Sequence, residues 1–274
     1  MALGRLCQKV GMSRQNLYKA RRERRRTEVD SDLIATLVRA EREAQPRMGG
    51  RKVYHVVKGE MSAAGVHIGR DRFFEVLAKK GLLLERLARA PRTTNSRHCL
   101  PVFRNLFKDM ELSGPNQAWV GDITYVRTDE GYLYLSLLTD AWSRKIVGYH
   151  GGDTLEAEGC LRSLRRALRE LPPGAKPLHH SDRGCQYCSH MYTEALSEAG
   201  LGISMTEQLH CYENALAERV NGILKQEYYL GACFRTKAQA LKAIDEAVEL
   251  YNTRRPHTAL NYQTPEAVHR RSAA

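Results

Sequence analysis

Three acids in this 274-residue chain stand where a carboxylate is either costly or well placed for chemistry. Asp122 interrupts the apolar run "WVGDITYV", where a charge is expensive to hold without a ligand or a partner. Asp182 ends "KPLHHSD", and ligand sites in open sheets form beyond strand ends. Glu218 lies in a helical stretch, 212–228, that spaces Asn214, Glu218, Asn221 and Lys225 at steps of four, three and four, so the four form one polar stripe. Leu216, Val220, Ile223 and Leu224 fall on other faces, available for packing. A polar stripe is ordinarily a solvated face; a single acid with amides and one lysine is the composition of a helix facing a metal and phosphates. Three carboxylates brought together repel one another unless divalent cations lie between them. Hard oxygen ligands suit Mg2+ or Mn2+, and two such ions ~4 Å apart clamp the attacking and leaving oxygens of a phosphodiester displacement. The chemistry implied is phosphoryl transfer on nucleic acid, with Lys225 facing the phosphate backbone.

The elements that must position these acids follow from the change of period along the chain. Residues 117–126, 131–142 and 145–152 read as three strands, the first two joined by the hairpin signal "RTDEG". An amphipathic helix over 153–171 comes next, then the strand ending at Asp182, a helix over 190–200, the strand "GISMT", and helices at 212–228 and 237–252. Antiparallel strands followed by alternating helix and strand predict an α/β fold, a mixed sheet with flanking helices. Before it, residues 3–20 have a helix-turn-helix silhouette, with a turn at Gly11 and a second helix capped by Ser13 that opens on Arg14. A further helix is expected over 30–44 and two more between Gly50 and Gly81, with Arg51, Lys52, Arg70 and Arg72 at their starts, where phosphate contacts are natural. Residues 88–115 lack a clear period and read as a linker, which divides the chain into a helical region, 1–87, and a core, 116–274.

Charge follows the same division. Residues 1–110 hold 25 Lys and Arg against 11 Asp and Glu, a net of +14, and residues 111–274 hold 18 against 20, a net of −2. A basic half joined to a near-neutral half points to a nucleic-acid-binding module attached to something else. With 42% hydrophobic and 27% charged residues the chain falls in the globular class, and no apolar run is long enough to span a bilayer, so no membrane partner and a cytoplasmic location are expected. The seven cysteines are an odd count without framework spacing, which fits free thiols.

The segments "WVGDITYV", "HSDRGCQY", "CYENALAERVNGILKQE" and "YNTRRPHTALNYQTPEAV" together resemble insertion-sequence transposases of the IS-three group, specifically their OrfB catalytic chain. Thirty-five residues intervene between Asp182 and Glu218, the interval that defines the group's acidic triad, and the four ordered motifs cover most of residues 116–268. The resemblance implies an RNase H-like, retroviral-integrase-like core and a DDE transposase that cleaves and transfers DNA strands at the element's ends. Asp122 would bridge two magnesium or manganese ions, while Asp182 and Glu218 each serve one. It also implies binding of terminal inverted repeats and target DNA, a homo-oligomer on DNA, and an upstream OrfA partner or an OrfAB fusion.

Several residues carry competing readings. Asp140, at the end of the second strand, is the rival metal ligand to a turn acid. Cys185 and Cys188 form a CxxC that, with Cys211 and any of His179, His180, His190 or His210, would make a zinc site; chance thiols are the simpler reading. Asn214 and Asn221, with Lys225, are candidate DNA contacts, and "NTRRPHTALNY" would place Arg254, Arg255 and His257 on DNA or form a capped loop into a helix at Pro265. Two other functions share the same motifs: an RNase H-type nuclease that only hydrolyses, and a non-catalytic DNA-binding repressor derived from a transposase.

Overall fold

The computed structural model of the protein describes residue 7 and residues 11–85, 100–207 and 214–271. The chain divides into two compact units, Met1–Arg86 and Leu87–Ala274. No helix among the described residues is long and apolar enough to cross a membrane.

The first unit is built from helices. α1, Arg14–Ala44, begins at the expected cap, where the Ser13 side chain accepts from the Asn16 amide. It then runs unbroken for 31 residues, where the sequence reading expected one helix to stop near residue 20 and another to start near 30. The intervening "RRERRRTEVD" contains no Gly or Pro, and Arg and Glu are good helix formers, so nothing in it ends the helix. The first helix of the expected helix-turn-helix falls largely outside the described residues. Only the C-terminal part of α1 is buried, through Ile34, Ala35 and Val38. These pack with Val53, Val57 and Met61 of α2, Gly50–Ala63, and Phe73, Val76 and Leu77 of α3, Arg70–Lys79.

The second unit is a mixed sheet of six strands among the described residues. β1 (Ala118–Thr128), β2 (Gly131–Asp140) and β3 (Ile146–Gly152) pair antiparallel, while β4 (Leu178–Ser181) and β5 (Gly202–Met205) continue on the other side of β1 in parallel, giving the order β3-β2-β1-β4-β5. A two-residue strand, β6 (Cys233–Phe234), adds to the far end of β1; it is too short to leave a periodic signal in sequence.

Alternation along the strands sorts the two faces. Val126, Leu133, Leu135 and Leu137 pack against α6 (Ala215–Glu227) and α7 (Lys237–Thr253). Trp119 and Leu138 pack against α4 (Ala157–Arg169) and α5 (His190–Glu198) on the opposite face. Each such fully buried large apolar side chain contributes about 1.5–3 kcal/mol relative to exposure. α4 lies so close to β3 that a Cβ on Gly148 would sit 2.2 Å from the Ser163 carbonyl oxygen. A terminal helix, α8 (Pro265–Arg271), starts at the expected proline. Residues 100–116, expected to be linker, lie against this unit: Phe103 and Phe107 join its apolar clusters, and the Ser204 hydroxyl accepts from the Leu106 amide.

Candidate active site

Strand register places the two aspartates first. β1 and β4 run parallel with Gly121 opposite Ser181, so Asp122 and Asp182 are the next residues on two adjacent strands. Neighbouring strands lie about 4.8 Å apart. β4 ends at Ser181, leaving Asp182 at the start of the departing turn, where its Oδ1 accepts from the Gly184 amide at 3.0 Å. The loop is held at two further points, by Arg183 Nε donating to Thr206 O at 2.6 Å and Gln186 Nε2 donating to Leu155 O at 2.8 Å.

α6 closes over this pair. Asn221 Nδ2 donates to Asp122 Oδ2 at 2.7 Å, and Asn214 Nδ2 donates to the carbonyl of Gly121 at 3.1 Å. Both amides are buried, and they flank Glu218 at four residues before and three after, so the polar stripe read from the sequence faces β1 and carries Glu218 with it. The Oδ1 atoms of Asn214 and Asn221 are buried without a hydrogen-bond partner. Asn214 and Asn221, expected on DNA, are therefore committed to the aspartate strand. A Cβ on Gly121 would meet His179 Nε2 at 3.1 Å and Tyr187 and Leu138 carbons at 3.3 Å, a close approach in which any side chain would make its neighbours give by a few tenths of an ångström.

The electrostatics agree with the geometry. Burial and the neighbouring Asp182 push the Asp122 carboxyl up to about 7, with Glu218 adding to the rise and the Ile123 amide and Asn221 opposing it. Burial is the larger cause and the two other acids add to it, so a cation nearby would favour the ionised form. Lys225, half-buried one step further along the stripe, is held below its usual range by desolvation, with Asp122 pulling the other way. Carboxylate and amide oxygens are hard donors of the kind that suit Mg2+ or Mn2+. Among the described residues no group of three or more His, Cys, Asp or Glu side chains is placed to hold a metal ion.

The remaining candidates are distributed as follows. Asp140 is fully buried and holds a turn: its Oδ2 accepts from the Asn116 amide and its Oδ1 from the Ser143 amide and hydroxyl, each at 2.7 Å. Burial raises its pKa, but hydrogen bonds from His269, Ser143 and Asn116 outweigh that and hold it low. Arg254 is exposed, whereas Arg255 and His257, expected on DNA, are buried. Arg255 forms a bidentate ion pair with Glu227, at 2.7 and 2.8 Å, and donates to His257 Nε2 at 2.8 Å. A guanidinium so engaged and 2% exposed has no face left for a phosphate. Arg14, Arg51, Arg70 and Arg72 are exposed and Lys52 half-buried in the first turns of the helices expected for them.

His179 and His180 are buried acceptors or donors for Tyr192 and Ser204, both at 2.9 Å, and burial with the adjacent His180 pulls His179 down to about 3. Cys188 lies in the core with its Sγ 3.6 Å from Met205 Sδ, and Cys185 is exposed; Cys211 and His210 lie outside the described residues. The His179–Tyr187–Tyr192 cluster beneath Asp122 was missed in the sequence, although a glycine inside a strand at 121 signals a close approach of just this kind.

The chain is similar to several known proteins. The sequence matches the integrase core domain family over residues 113–211, and a second family of the same description over residues 199–265. The chain is 34% identical over 266 residues to the uncharacterized 31 kDa protein of insertion element IS600 of Shigella sonnei, covering 96% of each chain. It is 32% identical over 256 residues to transposase InsF for insertion sequence IS3A of Escherichia coli K12, covering 92% of this chain and 86% of the relative. Among solved structures, the HTLV-2 integrase catalytic core domain in complex with magnesium is 22% identical, with a TM-score of 0.46 over 61% of this chain and 99% of that one.

Proposed function

Because the chain belongs to the integrase-core transposases of the IS3 insertion-sequence family, we propose that its second unit cleaves DNA at the element's ends and joins the freed ends to another duplex, with Asp122, Asp182 and Glu218 as the catalytic carboxylates. The observation that carries this reading is the tie between α6 and β1: Asn221 and Asn214 fasten Glu218's helix to Asp122 and Gly121, while register sets Asp182 alongside. In this reading the three carboxylates, from β1, the turn after β4 and α6, serve one site.

Asp122, Asp182 and Glu218 are the residues that would hold divalent cations, and a bound pair of Mg2+ or Mn2+ would supply Lewis acidity at the scissile phosphate. The chain's own groups do the rest. Asn221 fixes one oxygen of Asp122. Lys225, coupled to Asp122, adds a cation on the side of Glu218's helix where a phosphate would approach. In the first step water attacks phosphorus and the bond to the 3′ oxygen breaks, leaving a 3′-hydroxyl and a 5′-phosphate. In the second, that 3′-hydroxyl attacks a phosphodiester of another strand, a new bond to phosphorus forms, and the displaced oxygen leaves as a new 3′-hydroxyl. Both steps exchange one phosphorus–oxygen bond for another, so no covalent protein intermediate is required. The terminal repeats, an OrfA-type partner and assembly of several copies on DNA belong to the same proposal.

The test uses labelled DNA carrying the native element's ends, with Mg2+ or Mn2+. Cleavage followed by joining to a second duplex is expected from the wild type or its OrfA fusion, and neither from Glu218→Gln. Cleavage without joining would replace this reading by a hydrolytic nuclease; binding without either step, in both forms, would leave a DNA-binding protein only.

A further inference from the structure

Charge in the second unit is close to balanced, yet four of its arginines share one face of α4. Arg162, Arg165, Arg166 and Arg169 recur at steps of three, one and three and are all exposed, while Cys160, Leu161, Leu164 and Ala167 of the same helix are buried. With Glu170 and with Tyr149 and His150 of β3 they line an open basin of about 530 Å³. β3 ends the strand order on that side.

The acids nearby do not neutralise the face. Glu158 pairs with Arg162 at 3.1 Å in an exposed position worth little, and Glu170 lies 3.7 Å from Lys145 Nζ. Arg165 and Arg169 have no acidic partner among the described residues. Arg166 is set in place beforehand: its guanidinium carbon is 3.7 Å from the centre of the Tyr149 ring, it donates to the Tyr149 hydroxyl at 2.9 Å, and that hydroxyl donates to Asp245. Burial, Arg162 and Arg166 together hold the His150 ring below its usual range, with Glu158 opposing. This is a basin in which fixed cations crowd one another, and an anion relieves the crowding.

The extent of the stripe decides which anion. From Arg162 to Arg169 it covers about 10 Å of helix axis. That is too long for one phosphate and comparable to three successive phosphates on one strand, about 3.4 Å apart along the duplex axis. The N-terminal end of α4 is tied toward the Asp182 loop, since Leu155, which accepts from Gln186 of that loop, lies two residues before the helix begins.

We propose that the arginine face of α4, with Tyr149 and His150, is a second DNA-binding surface of the catalytic unit, one that grips the sugar-phosphate backbone of a duplex engaged at the carboxylates. This rests on reading that unit as a DNA strand-transfer core. It adds to that reading a grip that is independent of base sequence.

The test uses the full chain in a Glu218→Gln background, which separates binding from chemistry, and a fluorescent duplex of arbitrary sequence. Affinity is measured from 0.05 to about 0.5 M salt for that protein and for the same protein carrying Arg165→Gln and Arg169→Gln. Loss of two phosphate contacts flattens the plot of log affinity against log salt by about 1.8, which is about sixty-fold at 0.1 M if the two lines converge at 1 M. Thermal midpoints stay equal, because both side chains are exposed. The His150 ring, followed by NMR, titrates at higher pH when the duplex is bound. An unchanged slope overturns the proposal. So does a His150 shift produced by inorganic phosphate but not by duplex, which would make the basin a small-anion site, or a change in oligomeric state at unchanged slope, which would make it an interface between copies. A wild type that fails to cleave would instead sink the proposed function, and leave the slope result standing.

Discussion

Glu227→Gln tests how the buried end of α7 is held, and its cost can be worked from the structure. Arg255 is 2% exposed and Glu227 18%, with two hydrogen bonds between them at 2.7 and 2.8 Å. Removing one partner of a buried pair costs about 3–5 kcal/mol, mostly because the other charge is left without compensation. Water can reach the Glu227 side, so about 3 kcal/mol is expected. For a unit of this size that is a fall of roughly 6–12 °C in thermal midpoint, at 2–4 °C per kcal/mol. The variant Glu227→Leu with Arg255→Met, which removes both charges and keeps apolar volume, should cost under about 1.5 kcal/mol. Arg254→Ala, at the exposed neighbour, should change stability by less than about 0.5 kcal/mol. The assay is denaturant unfolding of all four proteins followed by far-ultraviolet circular dichroism. Glu227→Gln within 1 kcal/mol of wild type, or no better tolerance of the double change, would refute the reasoning and return Arg255 to the candidates for DNA contact.

Acid stability should depend on His179. Its folded pKa of about 3 lies below the ordinary 6.5, so the unfolded chain takes up a proton that the native chain does not, and stability falls as pH drops below about 6.5. At pH 5 the loss is about 2 kcal/mol from this residue, and His179→Gln should flatten that part of the stability–pH curve. Two glycines should respond with opposite sign. Gly148→Ala drives a methyl toward the Ser163 carbonyl and should cost about 3 kcal/mol, while Gly222→Ala in α6 meets nothing within 4 Å and should stabilise by about 0.5–1 kcal/mol, both read by thermal melting. Asn221→Ala should lower the cleavage rate at saturating DNA while leaving DNA affinity nearly unchanged, at a stability cost of about 1–3 kcal/mol for the lost buried hydrogen bond, because it loosens Asp122 rather than the duplex; Asn221→Asp, which sets a fourth carboxylate beside Asp122, should not restore the rate.

The strands of the core were legible because they are buried on both faces and so read as short runs rich in β-branched and aromatic residues between turn signals: Val126, Leu133, Leu135 and Leu137 pack on one side, Trp119 and Leu138 on the other. The polar stripe on α6 was legible as spacing. What the stripe touches was not, since periodicity gives a face but no neighbour, and Asn214 and Asn221 turned out to hold β1. Arg255 shows the limit most plainly. Adjacent arginines read alike in sequence, and only the return of α6's last turn, with Glu227, separates the buried one from the exposed one. The unbroken α1 went unread because an arginine-rich run carries no apolar period, although its composition favours helix throughout.

The central claim is that three carboxylates on three separate elements act as one catalytic group. Its most direct test is the rate of strand cleavage, in Mg2+, by Asp122→Asn, Asp182→Asn and Glu218→Gln beside wild type, on DNA carrying the element's ends. All three rates should fall together by at least about a thousandfold, with DNA affinity and thermal midpoint retained. Any one of the three variants cleaving at the wild-type rate would contradict the account.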